Sequence, residues 1–272
     1  MSELAGIGKS YRNKLSKVLE KNHAILTTSS VSEILEIPRQ ESGRLLSRWC
    51  KNGWLKRLKR GAYIPVSLDS TSGNIVIEEP YLIAESLFNP GYIAGFSAVK
   101  YWDLSEQIIE SVTYFTTRKV KDRKPNYGGV KFRLKTINKK RIFGTKPIWY
   151  GSKKVKVSDP TKTMIDLLDD PKIVGGISIV CDIFSEYLES KYNNLELLID
   201  YAKEMNNKAI FKRLGFILET RFNGENKLIL EIQNYISAGY SALDPSMPSD
   251  QHISKWRLKT SDSWKKEYDR KK

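Results

Sequence analysis

Between Lys51 and Val66 the chain reads KNGWLKRLKRGAYIPV, and this segment limits the possible folds more than any other. Residues 54–60 and 62–66 have the composition of two short strands around Arg60-Gly61, with glycine supplying the turn and Tyr63 and Ile64 the strand propensity. Lys56, Arg57, Lys59 and Arg60 place four cations in five positions. Leu55 and Leu58 differ in parity, so one of them is exposed or a bulge intervenes.

What precedes the hairpin gives its charge a purpose. Residues 9–21 carry Tyr11, Leu15, Val18 and Leu19 at the spacing of one buried helix face. A short extended piece, residues 24–27, leads to SVSEIL, where Ser30 and Glu33 have capping-box spacing, so a second helix is expected to start at Ser30. Pro38 disfavours helical geometry at Ile37 and suits the first turn of a third helix over Arg39–Lys51, which Gly53 ends as a left-handed cap. On a helical wheel Ser42, Leu45, Leu46, Trp49 and Cys50 share one arc and face the core. Gln40, Arg44, Ser47 and Lys51 form the opposite stripe, flanked by Arg39 and Arg48. Forked and bidentate donors on a free helix face suit the major groove of DNA, and a cationic hairpin beside it suits the phosphate backbone. These residues read as a winged helix-turn-helix, with Arg39, Gln40, Arg44, Ser47, Arg48 and Lys51 on the recognition helix and Lys56, Arg57, Lys59 and Arg60 on the wing. The wheel leaves open a three-helix core whose polar face merely meets water.

Charge is separated along the chain. The net charge is +15, and residues 1–67 hold 13 Lys and Arg against 5 Asp and Glu, residues 115–156 hold 15 against 1, and residues 157–254 hold 9 against 15. Such blocks suggest basic surfaces that meet a polyanion, which nucleic acid satisfies most simply. The N-terminal MSELAGIGKS lacks the apolar stretch of a signal peptide, and no apolar run approaches a membrane span, so a cytoplasmic protein with no membrane partner is expected. Cys50, Cys181, His23 and His252 fit no zinc spacing, and no metal or cofactor is expected.

Beyond a linker at residues 67–74, EEPYLIAESLF and residues 95–102 read as helices, and residues 108–117, 130–137 and 146–157 as strands of an antiparallel sheet. Asp159 is expected to cap a helix over residues 161–168, with Asp166 placed to accept from Lys162 or a backbone donor, and four helices follow between Gly176 and Ile236. The chain therefore reads as α+β, with domains at 1–67 and 75–254 and a basic, aromatic tail at 255–272. Arg118, Lys119, Lys121, Arg123 and Lys124 form a basic loop, and Lys131, Arg133 and Lys135 alternate with apolar residues, giving a second basic surface on one sheet face. Solvent, nucleic acid and an acidic partner remain open as what that surface meets. The tail, with Trp256, Trp264 and Tyr268 among eight cations, is a docked helix or a flexible arm.

The helices, the hairpin, GYIAGFSAVKYWDL (91–104), VKVSDPTKTMIDLLDDPKIVGG (155–176) and AIFKRLGFILE (209–219), in this order, resemble the AbiEi antitoxins of abortive-infection systems. The resemblance extends over nearly the whole chain. It implies a larger α+β antitoxin domain after the winged helix, and a bacterial regulator that represses its own operon at inverted repeats in the promoter. It further implies that the chain counteracts a nucleotidyltransferase-like toxin, directly or indirectly, and has no catalytic activity. Lys162 departs from the family pattern, which often carries Arg there, and the two are not equivalent in a buried ion pair.

Enzymatic patterns are weak. AGIGKS ends like a phosphate-binding loop but has Glu3 at the required earlier glycine, with no preceding strand. Asp182 with Glu189-Ser190-Lys191 mimics the metal-binding set of nucleases, yet ISIVCDIFSEYLESKYN has helical periodicity. A metal-dependent nuclease with a winged-helix targeting domain is the alternative from another class, and a basic module binding protein or RNA is a third.

Overall fold

A computed structural model of the protein describes residues 8–21, 25–66, 80–107, 109–150, 153–222 and 226–270. Residues 1–7, which include the first half of AGIGKS, His23 and the linker at 67–74 lie outside them, whereas Lys9 and Ser10 of AGIGKS open the first helix. The chain divides into two compact units, one of Met1–Gly91, Glu110–Thr136 and Ile148–Val155, the other of Tyr92–Ile109, Ile137–Pro147 and Lys156–Lys272.

In the first unit, helices α1 (Lys9–Glu20), α2 (Thr28–Leu35) and α3 (Arg39–Lys51) enclose a core of Leu15, Val18, Val31, Ile34, Leu46 and Trp49. The first helix buries less than its apolar stripe predicts: Leu15 and Val18 are inside, whereas Tyr11 and Leu19 are 38% and 36% exposed. The second helix starts two residues before the expected Ser30. Strand β1 (Leu26–Thr27) pairs with β3 (Ala62–Pro65), which holds Thr27 in an extended conformation and makes it the N-cap. Ser30 then closes a capping box with it: Ser30 N–H donates to Thr27 Oγ1 at 3.1 Å, and Thr27 N–H donates to Ser30 Oγ at 2.9 Å. The third helix has the expected bounds. Pro38 precedes it in an extended conformation, and Gly53, at φ 77°, lets the Gly53 and Trp54 amides donate back to the Cys50 and Trp49 carbonyls. Strand β2 (Leu55–Lys59) pairs antiparallel with β3, and the register shifts between Arg57 and Lys59. That bulge resolves the parity conflict, because it lets Leu55 and Leu58 both be buried.

Helix α4 (Pro80–Phe88) and strands β5 (Val112–Thr116), β6 (Asn126–Tyr127) and β7 (Val130–Thr136) complete the described part of this unit, apart from short ends of other strands. Gly128 and Gly129, both at positive φ, turn β6 into β7, and this pair is antiparallel as expected. The β5–β7 pair is parallel, Val112 facing Phe132 through to Thr116 facing Thr136. Side-chain alternation sets which face a strand buries, whereas strand direction follows from the connection, and residues 117–125 carry the chain back before β6. The sheet is therefore mixed. Phe88 packs on Tyr114 and Phe132 with ring centroids 6.1 and 5.3 Å apart.

The second unit is built around α6 (Pro160–Asp169), which is buried from Pro160 to Leu168. Asp159 caps it, accepting from the Lys162 amide at 2.7 Å. Beside it, Ile93 of β4 (Gly91–Ile93) pairs in parallel with Val157 of β9 (Lys153–Ser158). Helices α5 (Gly95–Tyr101), α7 (Ile177–Glu189), α8 (Leu195–Met205), α9 (Lys208–Arg221) and α10 (Asn226–Gln233) follow, the last four matching the four expected segments. The single strand expected at 146–157 is two, β8 (Thr145–Tyr150) and β9.

Within this unit Lys162 is fully buried and its Nζ donates to Asp166 Oδ1, as expected, and to Tyr92 Oη at 3.0 Å. Tyr92 Oη in turn donates to Asp166 Oδ2 at 3.0 Å, and Phe143 covers the ammonium, 4.8 Å from its ring centre. Arg213, only 4% exposed, donates to the carbonyls of Leu168, Asp169, Ala242 and Leu243, tying the end of α6 to strand β10 (Ser241–Ala242). The C-terminal residues form β11 (Gln251–Ile253), β12 (Leu258–Thr260) and α11 (Asp262–Arg270). Trp256, Trp264 and Tyr268 are buried, the last two against Phe216. The tail is thus docked, and its aromatics cover core.

Candidate nucleic-acid interface

Helix α3 presents Arg39, Gln40, Arg44, Ser47, Arg48 and Lys51 to solvent, while Ser42, Leu45, Leu46 and Trp49 anchor it from behind. The wheel therefore separates the two faces correctly, with Cys50 half-buried at their border. The exposed residues are not alike. Arg39 donates to Ser29 Oγ at 2.8 Å, which fixes it against the start of α2. Arg48 donates to Tyr11 Oη and lies over that ring, 4.9 Å from its centre. Gln40, Arg44, Ser47 and Lys51 make no hydrogen bond or ion pair among the described residues, so their donors are available to a ligand.

These four, with Arg48 and with Arg57 and Arg60 of the hairpin, line an open groove of about 940 Å³. Tyr11 lines it as well. Reading from sequence assigned Tyr11 to the core stripe of α1. The signal that marks it otherwise is its place near the helix start, two residues past the first helical position, where a stripe runs off the end of the core.

The hairpin cations divide in the same way. Lys56, Arg57 and Arg60 are exposed, whereas Lys59 is half-buried and its Nζ stands 5.3 Å from the ring centre of Tyr127 in β6. Burial lowers the Lys59 pKa, and the neighbouring charge of Arg118 lowers it further. The hairpin and the second basic surface therefore meet at Lys59, Tyr127 and Arg118.

Of that second surface, Arg118, Lys119, Lys121, Arg123, Lys124 and Lys131 are exposed, and Arg133 and Lys135 are half-buried. Arg118 donates to the Leu87 carbonyl at 3.4 Å. Lys131 pairs with Glu110 at 2.9 Å, and the hydrogen bond and charge of Lys131 hold the Glu110 carboxyl below its ordinary pKa. Lys135 lies 5.3 Å from the Phe115 ring centre. These internal contacts leave Lys119, Lys121, Arg123 and Lys124 as its freest cations.

The nuclease-like set does not assemble. Asp182 and Glu189 are exposed along α7, and Lys191 lies in the turn after it. Among the described residues no group of three or more His, Cys, Asp or Glu converges in a way that could hold a metal ion. No helix among them is long and apolar enough to cross a membrane.

No curated protein matches the chain. A solved structure, the crystal structure of RV2827C protein from Mycobacterium tuberculosis, superposes with a TM-score of 0.63 at 11% identity, over 96% of this chain and 94% of that one. At that identity the likeness is one of fold. The helices and hairpin that carry the groove, residues 13–66, match the family model of the AbiEi antitoxin, a transcriptional regulator.

Proposed function

We propose that the chain is a transcriptional repressor of its own operon and the antitoxin of that operon. In this reading the N-terminal unit works as a winged helix-turn-helix. Helix α3 lies in the major groove, which admits one helix, with Gln40, Arg44, Ser47 and Lys51 reading base edges. Lys56, Arg57 and Arg60 of the β2–β3 wing hold phosphates. The observation that carries the reading is the groove in which the unbonded donors of α3 and the wing cations converge, inside the segment that matches the regulator family. The family supports the DNA-binding antitoxin role. Autorepression at inverted repeats, a nucleotidyltransferase-like toxin as the opposed partner, a role in phage defence and a cytoplasmic location are the finer parts of this proposal. Nothing in the site calls for catalysis.

The test is fluorescence anisotropy of the purified chain with the DNA immediately upstream of its gene and with a shuffled duplex, each at low and near-physiological salt. Tighter binding to the upstream duplex that persists at the higher salt supports base readout. Equal binding to both that collapses with salt overturns it, leaving an electrostatic surface without operator specificity. Co-expression with the adjacent gene tests the antitoxin role: a neighbour that is equally toxic with and without this chain sinks it.

A further inference from the structure

Strand β8 lies at the edge of its sheet next to β9, and it carries Trp149, which is 62% exposed. Among the described large hydrophobic side chains, Leu230 alone is as exposed. A single exposed apolar side chain needs no explanation. Here the setting supplies one. Residues 145–156 hold four Lys and no Asp or Glu. Lys154 Nζ stands 5.9 Å from the Trp149 ring centre, near the outer limit of a cation–π contact, so it leaves most of the indole open and is free to swing onto an anion.

The chemistry of the pair selects its ligand. Phosphate alone would use the lysine and leave the indole idle. An acidic peptide would bring carboxylates to a ring face that is itself electron-rich and repels them. Duplex DNA keeps its base faces inside the stack. An unpaired nucleotide offers both halves at once, a flat base for the indole and a phosphate for the ammonium, which is how sequence-tolerant single-strand sites are built. Unpaired bases are the ordinary state of RNA loops and ends. We propose that Trp149 and Lys154 form a stacking platform for unpaired RNA, using residues other than those of α3 and the wing. This inference goes beyond the proposed repressor function and does not depend on it.

The experiment is anisotropy of the full chain with a short labelled oligouridylate, an oligothymidylate of equal length and the upstream duplex. Wild type is compared with Trp149→Ala, Trp149→Phe and Lys154→Ala. Because Trp149 is largely exposed, all variants are expected to fold, and circular dichroism checks this. Oligouridylate binding that falls roughly tenfold in Trp149→Ala, as the loss of one stacked base would give, supports the platform. Trp149→Phe should keep most of the affinity, Lys154→Ala should weaken it, and duplex binding should stay unchanged. Equal oligouridylate affinity in wild type and Trp149→Ala overturns the proposal. A matching loss on the duplex overturns it too, by making Trp149 part of the double-strand surface, and clearly tighter binding of oligothymidylate overturns the assignment to RNA. Failure of the repressor reading would appear only in the comparison of upstream with shuffled duplex.

Discussion

Arg44 and Arg60 line the same groove but are predicted to do different things. An arginine on a base edge carries sequence information, so Arg44→Ala should cost about 1–3 kcal/mol on the upstream duplex and relax base preference. Arg60→Ala should weaken upstream and shuffled duplexes alike and reduce the salt slope by roughly one. Equal losses for both variants on both duplexes would remove Arg44 from the base-reading set. In the second unit, Lys162→Ala removes the buried ammonium that pairs with the Asp166 carboxylate. Breaking a buried pair from one side costs roughly 3–5 kcal/mol, while exchanging both partners for apolar groups is often neutral, so Lys162→Met with Asp166→Leu should recover most of the loss. Urea denaturation of the two variants measures the difference. The Lys162–Asp166 pair was legible because the residues sit four apart on a helix. The roles of Tyr11 and Lys59 were not, because each depends on a partner 37 or more positions away, Arg48 for one and Tyr127 for the other.

Helix boundaries were readable where the chain carries a single local stop or start. Pro38 and Gly53 bracket α3, and Asp159-Pro160 opens α6. The start of α2 was misplaced because Thr27 and Ser30 are both competent caps, and the choice between them is made by the pairing of β1 with β3. Parallel pairing of β5 with β7 escaped for a related reason: alternation records faces and not direction. Helix α9 gives the clearest test at this scale. Gly215 lies in its interior, where replacement by alanine ordinarily gains up to about 1 kcal/mol of helix propensity. An added Cβ would collide with the edge of the Trp256 ring, which is fully buried. Overpacking of a tight core costs typically about 1–3 kcal/mol, so Gly215→Ala should destabilise the chain despite the propensity gain. A raised melting temperature for that variant would show that α9 and the Trp256 turn are not packed as described.

For the molecule as a whole, acid sensitivity has an identifiable contributor in Asp244. Burial raises its carboxyl pKa, but hydrogen bonds from Ser246 and from the Ile177 amide, with the charge of Arg213, outweigh that and hold it below the ordinary value. The folded-state pKa therefore lies below the unfolded one, so the stabilisation is complete above about pH 4 and is lost as the pH falls through the folded value. Asp244→Asn should be less stable than wild type at neutral pH, and the gap should narrow in acid. Denaturation curves across that range check it, and a constant gap would rule out this linkage.

The division of labour among the cations of the first unit has a consequence for how such a chain diverges. Lys59 packs on Tyr127, Arg48 is held by Tyr11, and Arg39 by Ser29, whereas Gln40, Arg44, Ser47 and Lys51 make no hydrogen bond or ion pair among the described residues. Side-chain substitutions at those four exposed positions are expected to change stability little, so under the repressor reading the operator can be rewritten by drift at the surface of α3 alone. Two copies of such a gene in one genome can then become insulated from each other within a few substitutions, each keeping its own promoter while the rest of the architecture stays unchanged.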